Sequence, residues 1–246
     1  MARRALAVIP ARMGATRFPG KPLVKLLGKP MVAHVVARAL EAGVFHAVVV
    51  ATDHEEVARA AEAAGARAVL TGPASSGTDR VAMAVREIPG EVVVNVQGDE
   101  PAVPPENLRL LARFLLEHPE VPMATLALPG SLEDLANPNV VKVVCDANQK
   151  ALYFSRAPIP YQRNPNPALV QKHLGLYGFQ REALLAFAEL PEHPLERCEG
   201  LEQLRALACG IPIWVLQATG DSVAVDTPAD VPRAEAAMAR WLEGGS

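Results

Sequence analysis

Five residues within ten positions, Arg12, Gly14, Arg17, Gly20 and Lys21, follow closely on the apolar run 5–9. The run has the length and character of a buried strand, and Pro10 breaks it. Three fixed positive charges and two permissive backbone positions thus lie just beyond the carboxyl end of a first strand, where open α/β sheets bind ligands. A polyanion such as a nucleoside triphosphate is the natural occupant. An ordinary basic surface loop is the competing reading, since glycine and proline punctuate most loops. The segment is not a P-loop. That motif needs four residues between its glycines and a hydroxyl after its lysine, whereas here five residues separate Gly14 from Gly20 and Pro22 follows Lys21.

Two carboxylates add a second kind of chemistry. Asp99 closes the β-branched run VVVNVQGDE, and Asp226 closes Val223-Ala224-Val225. A compact carboxylate at a strand end can bind Mg²⁺, which takes one or two carboxylates plus substrate phosphates. Each has a bland alternative. Asp99 can close an Asx turn. Asp226 can stand beside a helix start built from Thr227, Pro228 and Asp230. The pair beside a basic loop suits metal-assisted phosphoryl chemistry.

These residues need a scaffold, and the chain alternates in a way that supplies one. Strand-like runs at 5–10, 47–52, 66–70 and 92–97 are separated by helical patterns at 30–42, 54–64 and 78–87. Alternation of this kind gives βαβ units, a mostly parallel sheet and, with right-handed crossovers, three α/β/α layers. The middle changes character. Strand-like pieces at 121–127, 139–146 and 151–155, a hairpin turn at 147–150 and a proline-rich stretch at 157–168 suggest a β-rich lobe inserted at about 121–180. A strand at 173–179, helices at 181–189 and 196–208, a strand at 213–217 and a last helix near 228 complete a single domain over 1–246. Gly200 falls inside the 196–208 pattern, where it costs a helix roughly 1 kcal/mol against alanine.

Bulk properties narrow the partners. The chain has 246 residues, a formal charge of −3 and 21% charged residues. That argues against a nucleic-acid scaffold and makes any anion site local. No run approaches the roughly 18 apolar residues of a membrane span, and the first residues carry no leader pattern, so the expectation is a cytoplasmic protein without a membrane role. Cys145, Cys198 and Cys209 form no metal-like cluster.

The blocks IPARMGATRFPGKPL, ATDHEEV, SGTDR, VVNVQGDEP, NPNVVKVV, ALYFSRAPIPY, HLGLYGF, PLE-x-x-E-x-LEQLR and VDTP together resemble the CMP-KDO synthetases (3-deoxy-manno-octulosonate cytidylyltransferases) over essentially the whole chain. The resemblance implies transfer of CMP from CTP to 3-deoxy-manno-octulosonate (KDO) with release of pyrophosphate, Mg²⁺ as cofactor, a homodimer joined through the inserted lobe, and a product used for surface glycan. It implies catalytic roles for Arg12, Lys21, Asp99 and Asp226, with the two aspartates as metal ligands. Pro10, Ala11, Arg12, Arg17, Lys21, Thr78 and Arg80 become the nucleotide contacts. Gln97, Arg156, His173, Tyr177, Glu202 and Gln203 become the sugar-acid contacts.

The chemistry of these types is consistent with those roles. Arg156 offers a planar fork for a carboxylate, although a surface arginine before a proline-rich loop is the plain alternative. His173 and Tyr177, four apart on a strand, share a face. Glu202 and Gln203 are helix neighbours and splay by about 100°, so they need not meet one ligand. Two departures from the usual family pattern stand out: Ala74-Ser75 where a histidine often precedes Ser-Gly-Thr, and Ala224 where glycine often precedes Val-Asp-Thr-Pro. A sister cytidylyltransferase acting on another sugar acid, such as sialic acid, and a non-catalytic nucleotide-binding regulator remain alternatives.

Overall fold

The computed structural model describes residues 3–14, 18–164 and 166–244, with side chains up to residue 240. The first half contains β1 (Ala5–Ala11), the short strands β2 (Lys25–Leu26) and β3 (Lys29–Pro30), α1 (Met31–Glu41), β4 (Phe45–Thr52), α2 (Glu55–Ala63), β5 (Arg67–Leu70), α3 (Gly77–Val85), β6 (Val92–Asn95) and α4 (Pro105–Glu117). The second half contains β7 (Met123–Pro129), α5 (Leu132–Ala136), β8 (Lys142–Cys145), β9 (Ala151–Ser155), β10 (Gln171–Gln180), α6 (Arg181–Ala188), α7 (Pro194–Glu199), α8 (Gln203–Ala208), β11 (Ile213–Gln217) and α9 (Val231–Gly244).

The central sheet runs β11-β7-β10-β6-β1-β4-β5. Its members are parallel except β10, which lies antiparallel to both β6 and β7. Strand β1 shows why three layers form. Ala7 and Ile9 enter one core with Val32, Val35 and Val36 of α1 and Leu108 and Leu111 of α4. Leu6 and Val8 enter the other, with Val81 and Val85 of α3. An apolar run with alternate side chains in two cores is a strand covered on both faces. The expected three-layer α/β/α fold with a mostly parallel sheet is therefore present.

Several expectations need correction. The inserted lobe is smaller than 121–180, because β7 and β10 are full members of the central sheet. Only the β8–β9 hairpin and the loops around it extend beyond, with β8 joined to β10 at Lys172 and Lys142. The hairpin turn at 147–150 is as expected, closed by Asp146, whose Oδ1 accepts from the amides of Asn148 and Lys150 at 2.8 and 2.9 Å. The helix α4 was not anticipated, nor was α5. The pattern at 196–208 is two helices. Gly200 ends α7 in the left-handed conformation (φ 64°), which glycine adopts without the penalty a Cβ brings, and this accounts for its presence there.

Candidate active site

The parallel strands β1, β5 and β6 end at one sheet edge, and the loops leaving them wall a cleft of roughly 670 Å³. The loop after β1 brings Pro10, Ala11, Arg12 and Lys21 to it, and the turn after β6 brings Gln97, Gly98 and Asp99. Arg17 lies outside the described residues. The turns are packed backbone to backbone: an ideal Cβ on Gly98 would stand 2.5 Å from the Pro10 carbonyl oxygen. Only glycine allows that approach. The amide of Val225 donates to the Asp99 carbonyl at 2.9 Å, which ties the Asp226 loop to the Asp99 turn.

The aspartates converge on one cation. The Lys21 ammonium donates to Asp99 Oδ2 at 2.7 Å and to Asp226 Oδ1 at 3.4 Å. Lys21 is largely buried, whereas Arg12 is exposed on the cleft wall. Asp226 also precedes the helix start read from the sequence. Asp230 accepts from the Asp226 amide and caps Thr227, and the Thr227 amide is the first cause holding the Asp230 carboxyl below its ordinary value. The two readings of this segment coexist, because the cap fixes the backbone that presents Asp226.

A pair of hard oxygen donors gathered around one positive charge has the chemistry of a Mg²⁺ site whose remaining ligands are phosphates and water. Among the described residues no third His, Cys, Asp or Glu joins them. The residues fit such an ion only when a substrate supplies the rest of its shell.

The wall opposite is the amino end of α3. Ser76 and Asp79 form a reciprocal capping box there. Thr78 and Arg80, expected as nucleotide contacts, are buried and act largely on the protein itself. Arg80 pairs with Asp53 at 2.9 Å and donates to Thr71 Oγ1 at 2.5 Å while still lining the cleft. The Thr78 hydroxyl donates to Glu202 Oε2 at 2.5 Å.

A second, smaller cleft of roughly 470 Å³ adjoins the first, and Leu201 lines both. It gathers His173, Gly175 and Tyr177 from β10 with Gln203 from α8. His173 and Tyr177 do share a face, with ring centroids 5.5 Å apart. An irregularity in the β7–β10 pairing falls between Leu174 and Tyr177, where Thr125 Oγ1 meets the carbonyls of Leu174 and Leu176 and His173 Nε2. Burial pushes the His173 imidazole down to about 3 and the Tyr177 phenol well above its ordinary value, so both rings are neutral near pH 7. Gln203 is buried, and its Nε2 has no partner among the described residues. A buried donor without an acceptor marks a position for a ligand oxygen or a water.

Glu202 and Gln203 do diverge, Glu202 into the first cleft and Gln203 into the second. Gln97 links the two by donating to the Gly175 carbonyl at 3.2 Å. Arg156 is brought to neither. Its Nε donates to the Glu199 carbonyl at 2.9 Å and its Nη1 to the Pro138 carbonyl at 3.2 Å. The charged side chains lining the second cleft are Lys172, Asp221 and Arg233, which sequence reasoning missed. Asp53, Glu196 and Arg205 were also missed, although the last two sit in the PLE-x-x-E-x-LEQLR block.

A cytidylyltransferase family profile matches residues 6–213. The chain is 52% identical over 240 residues to the 3-deoxy-manno-octulosonate cytidylyltransferase of Anaeromyxobacter sp. (strain Fw109-5), covering 96% of this chain and 98% of the relative. It is 42% identical to the Escherichia coli protein of that name, covering 97% and 98%. A solved structure of CMP:2-keto-3-deoxy-manno-octonic acid synthetase complexed with CTP superposes with a TM-score of 0.92 at 41% identity, covering 96% of this chain and 99% of that one. With matches of this length and identity, the chain belongs to the 3-deoxy-manno-octulosonate cytidylyltransferase family.

Proposed function

We propose that the protein transfers CMP from CTP to the anomeric hydroxyl of KDO, releasing pyrophosphate, with Mg²⁺ held by Asp99 and Asp226. The observation that carries this reading is the convergence of those two carboxylates on one cationic position beside the Arg12–Lys21 loop. The new bond joins the anomeric oxygen to the α-phosphorus. The bond from that phosphorus to the β-phosphate bridging oxygen breaks on the opposite side, and the hydroxyl proton leaves to solvent. Held by Asp99 and Asp226, Mg²⁺ would supply charge neutralisation and Lewis acidity toward the attacking hydroxyl.

The chain's own groups do the rest. Arg12 faces the first cleft as an exposed cation able to hold triphosphate oxygens, and Lys21 places a second positive charge between that loop and the carboxylates. Positioning and preorganised charge of this kind carry most phosphoryl transfers. In the second cleft the neutral His173 and Tyr177 and the Gln203 Nε2, which has no partner among the described residues, suit the hydroxyl groups of a sugar acid, and Lys172 and Arg233 suit its carboxylate.

We also propose that the protein works as a homodimer joined through the β8–β9 lobe, where Leu152, Tyr161 and Leu169 are exposed. Covering such side chains is a reason for a partner surface. The deciding assay is pyrophosphate release with CTP and a panel of sugar acids, with and without excess chelator. Turnover with KDO that chelator abolishes is expected. Turnover with sialic acid alone reassigns the acceptor, undiminished turnover in chelator removes the metal, and CTP binding without any turnover leaves a regulator.

A further inference from the structure

Arg205 reaches neither cleft, yet it holds two residues that line the first. It is 7% exposed on α8. Its Nε lies 3.1 Å from Glu196 Oε2, and its Nη2 donates to Glu196 Oε1 and to Glu202 Oε1, both at 3.2 Å. The remaining arm, Nη1, donates to the Leu190 carbonyl at 3.0 Å, and the guanidinium sits over the Phe187 ring, 4.6 Å from its centroid. Glu196 is also the reciprocal capping partner of His193 at the start of α7.

Two carboxylates on the wall of a cleft for a triphosphate have the wrong sign. Each repels the nucleotide and the other carboxylate, and partial burial strengthens both effects. A guanidinium fork can satisfy two carboxylates at once, which an ammonium cannot do in the same plane. The position matters as much as the charge. Glu202 uses one oxygen for Arg205 and the other for the Thr78 hydroxyl, so the cation sets where Glu202 meets the first turn of α3. The next residue along the chain, Gln203, places at the second cleft an Nε2 without a partner among the described residues.

We propose that Arg205 is a positioning residue for the reaction: it neutralises Glu196 and Glu202 and fixes them in the wall between the clefts, and thereby sets the affinity of the first cleft for nucleotide. The proposal rests on the nucleotidyl-transfer reading above. The test is CTP binding by calorimetry on the full chain without a sugar acid. Arg205→Met keeps much of the packing on Phe187 and removes the charge. It is expected to weaken CTP binding tenfold or more, with a loss that shrinks in high salt as charge repulsion is screened.

Adding Glu196→Gln to Arg205→Met is expected to recover affinity to within about threefold of wild type, which a purely structural role of Arg205 would not produce. The same recovery is expected when Glu196→Gln is added to Arg205→Lys, whose shorter side chain loses the planar set of donors shared between Glu196 and Glu202, and this variant carries the test if the methionine variant does not fold. Wild-type affinity in a folded Arg205→Met, or no recovery on adding Glu196→Gln in either background, overturns the proposal. Failure of the wild-type protein to bind CTP would instead overturn the functional reading.

Discussion

Replacing Gly98 with alanine adds one methyl group at the tightest point of the candidate site. Its Cβ would stand 2.5 Å from the Pro10 carbonyl oxygen, 3.5 Å from the Pro10 carbonyl carbon and 3.7 Å from Ile9 Cγ2. Real Cβ atoms essentially never come within 3.0 Å of another heavy atom, so the two backbones must separate by roughly 0.5–0.9 Å. The Pro10 side cannot easily yield. Strand β1 is paired with β4 as far as Ala11 and with β6 as far as Val8, and the Val96 amide donates to the Val8 carbonyl at 2.9 Å. The displacement therefore falls on the Gly98–Asp99 turn, and through the Val225–Asp99 hydrogen bond on the Asp226 loop. A misplacement near 1 Å costs on the order of 10²-fold in rate. The expectation for Gly98→Ala is a fall in kcat of roughly 10- to 100-fold, with a destabilisation of about 1–3 kcal/mol from overpacking. Initial rates of pyrophosphate release at saturating CTP and KDO, with urea unfolding alongside, measure both. A kcat within twofold of wild type would refute the reasoning, because the carboxylate would then tolerate the shift.

Asp99→Asn should lower kcat by about 10³-fold while calorimetry still detects CTP binding, since the amide keeps the shape and loses the charge that holds a metal. A near-normal rate would reassign the metal. The buried His173 makes a pH prediction whose sign follows from its depressed pKa of about 3. Between pH 6.5 and that value the unfolded chain takes up a proton the folded one refuses, so stability falls with pH by up to about 1.4 kcal/mol per unit. Glu100 acts in the opposite direction, its carboxyl raised to about 7 by burial and then by the Asp99 charge, so wild-type stability alone is ambiguous. The gap in unfolding free energy between wild type and His173→Gln should therefore shift by about 1.6 kcal/mol from pH 6.5 to pH 5, against the wild type. A gap independent of pH would show that the imidazole is not held neutral.

The Arg12–Lys21 loop and Asp99 could be placed because each follows an apolar run that forms one of two neighbouring strands, β1 and β6. The run 223–225 before Asp226 forms no strand, and the hydrogen bond from the Val225 amide to the Asp99 carbonyl places it instead. Other features were written locally and still missed. In PENLRLLARFLLE, Leu108, Leu111, Ala112 and Leu115 follow helical spacing and Pro105 suits a first turn, so α4 carried its own signal. Gly200 was likewise a helix stop rather than a costly interior residue. Arg156 illustrates the opposite case. Nothing in its neighbours indicates that Glu199 and Pro138, residues from two other segments, take its donors. Long-range pairing decided that contact, whereas the Arg205 fork reaches only Glu202 and Glu196, three and nine residues back in the same block.

The reversal of β10 matters most for function, and it is the feature local sequence could least express. In a fully parallel sheet every strand ends at the site edge, and its first residues lie at the far side. An antiparallel strand brings its beginning there instead. Because Tyr177 pairs with Asn95 and Gln180 with Val92, residues 171–175 run past the end of β6 toward the edge that holds Gln97 and Asp99. That is how His173 and Gly175 come to line the second cleft, beside the first, and how Gln97 can reach the Gly175 carbonyl. The result is a division of chemistry across a thin wall. Charged residues, set by loops after parallel strands and by α3, α7 and the start of α8, line the first cleft. The inner side of the second is formed by burial-neutralised rings on a reversed strand, where hydrogen bonding governs fit and a change of pH between 5 and 8 leaves both rings uncharged. A phosphoryl transfer joining a highly charged donor to a hydroxyl-rich acceptor needs both environments within bonding distance, and one antiparallel strand in an otherwise parallel sheet supplies them.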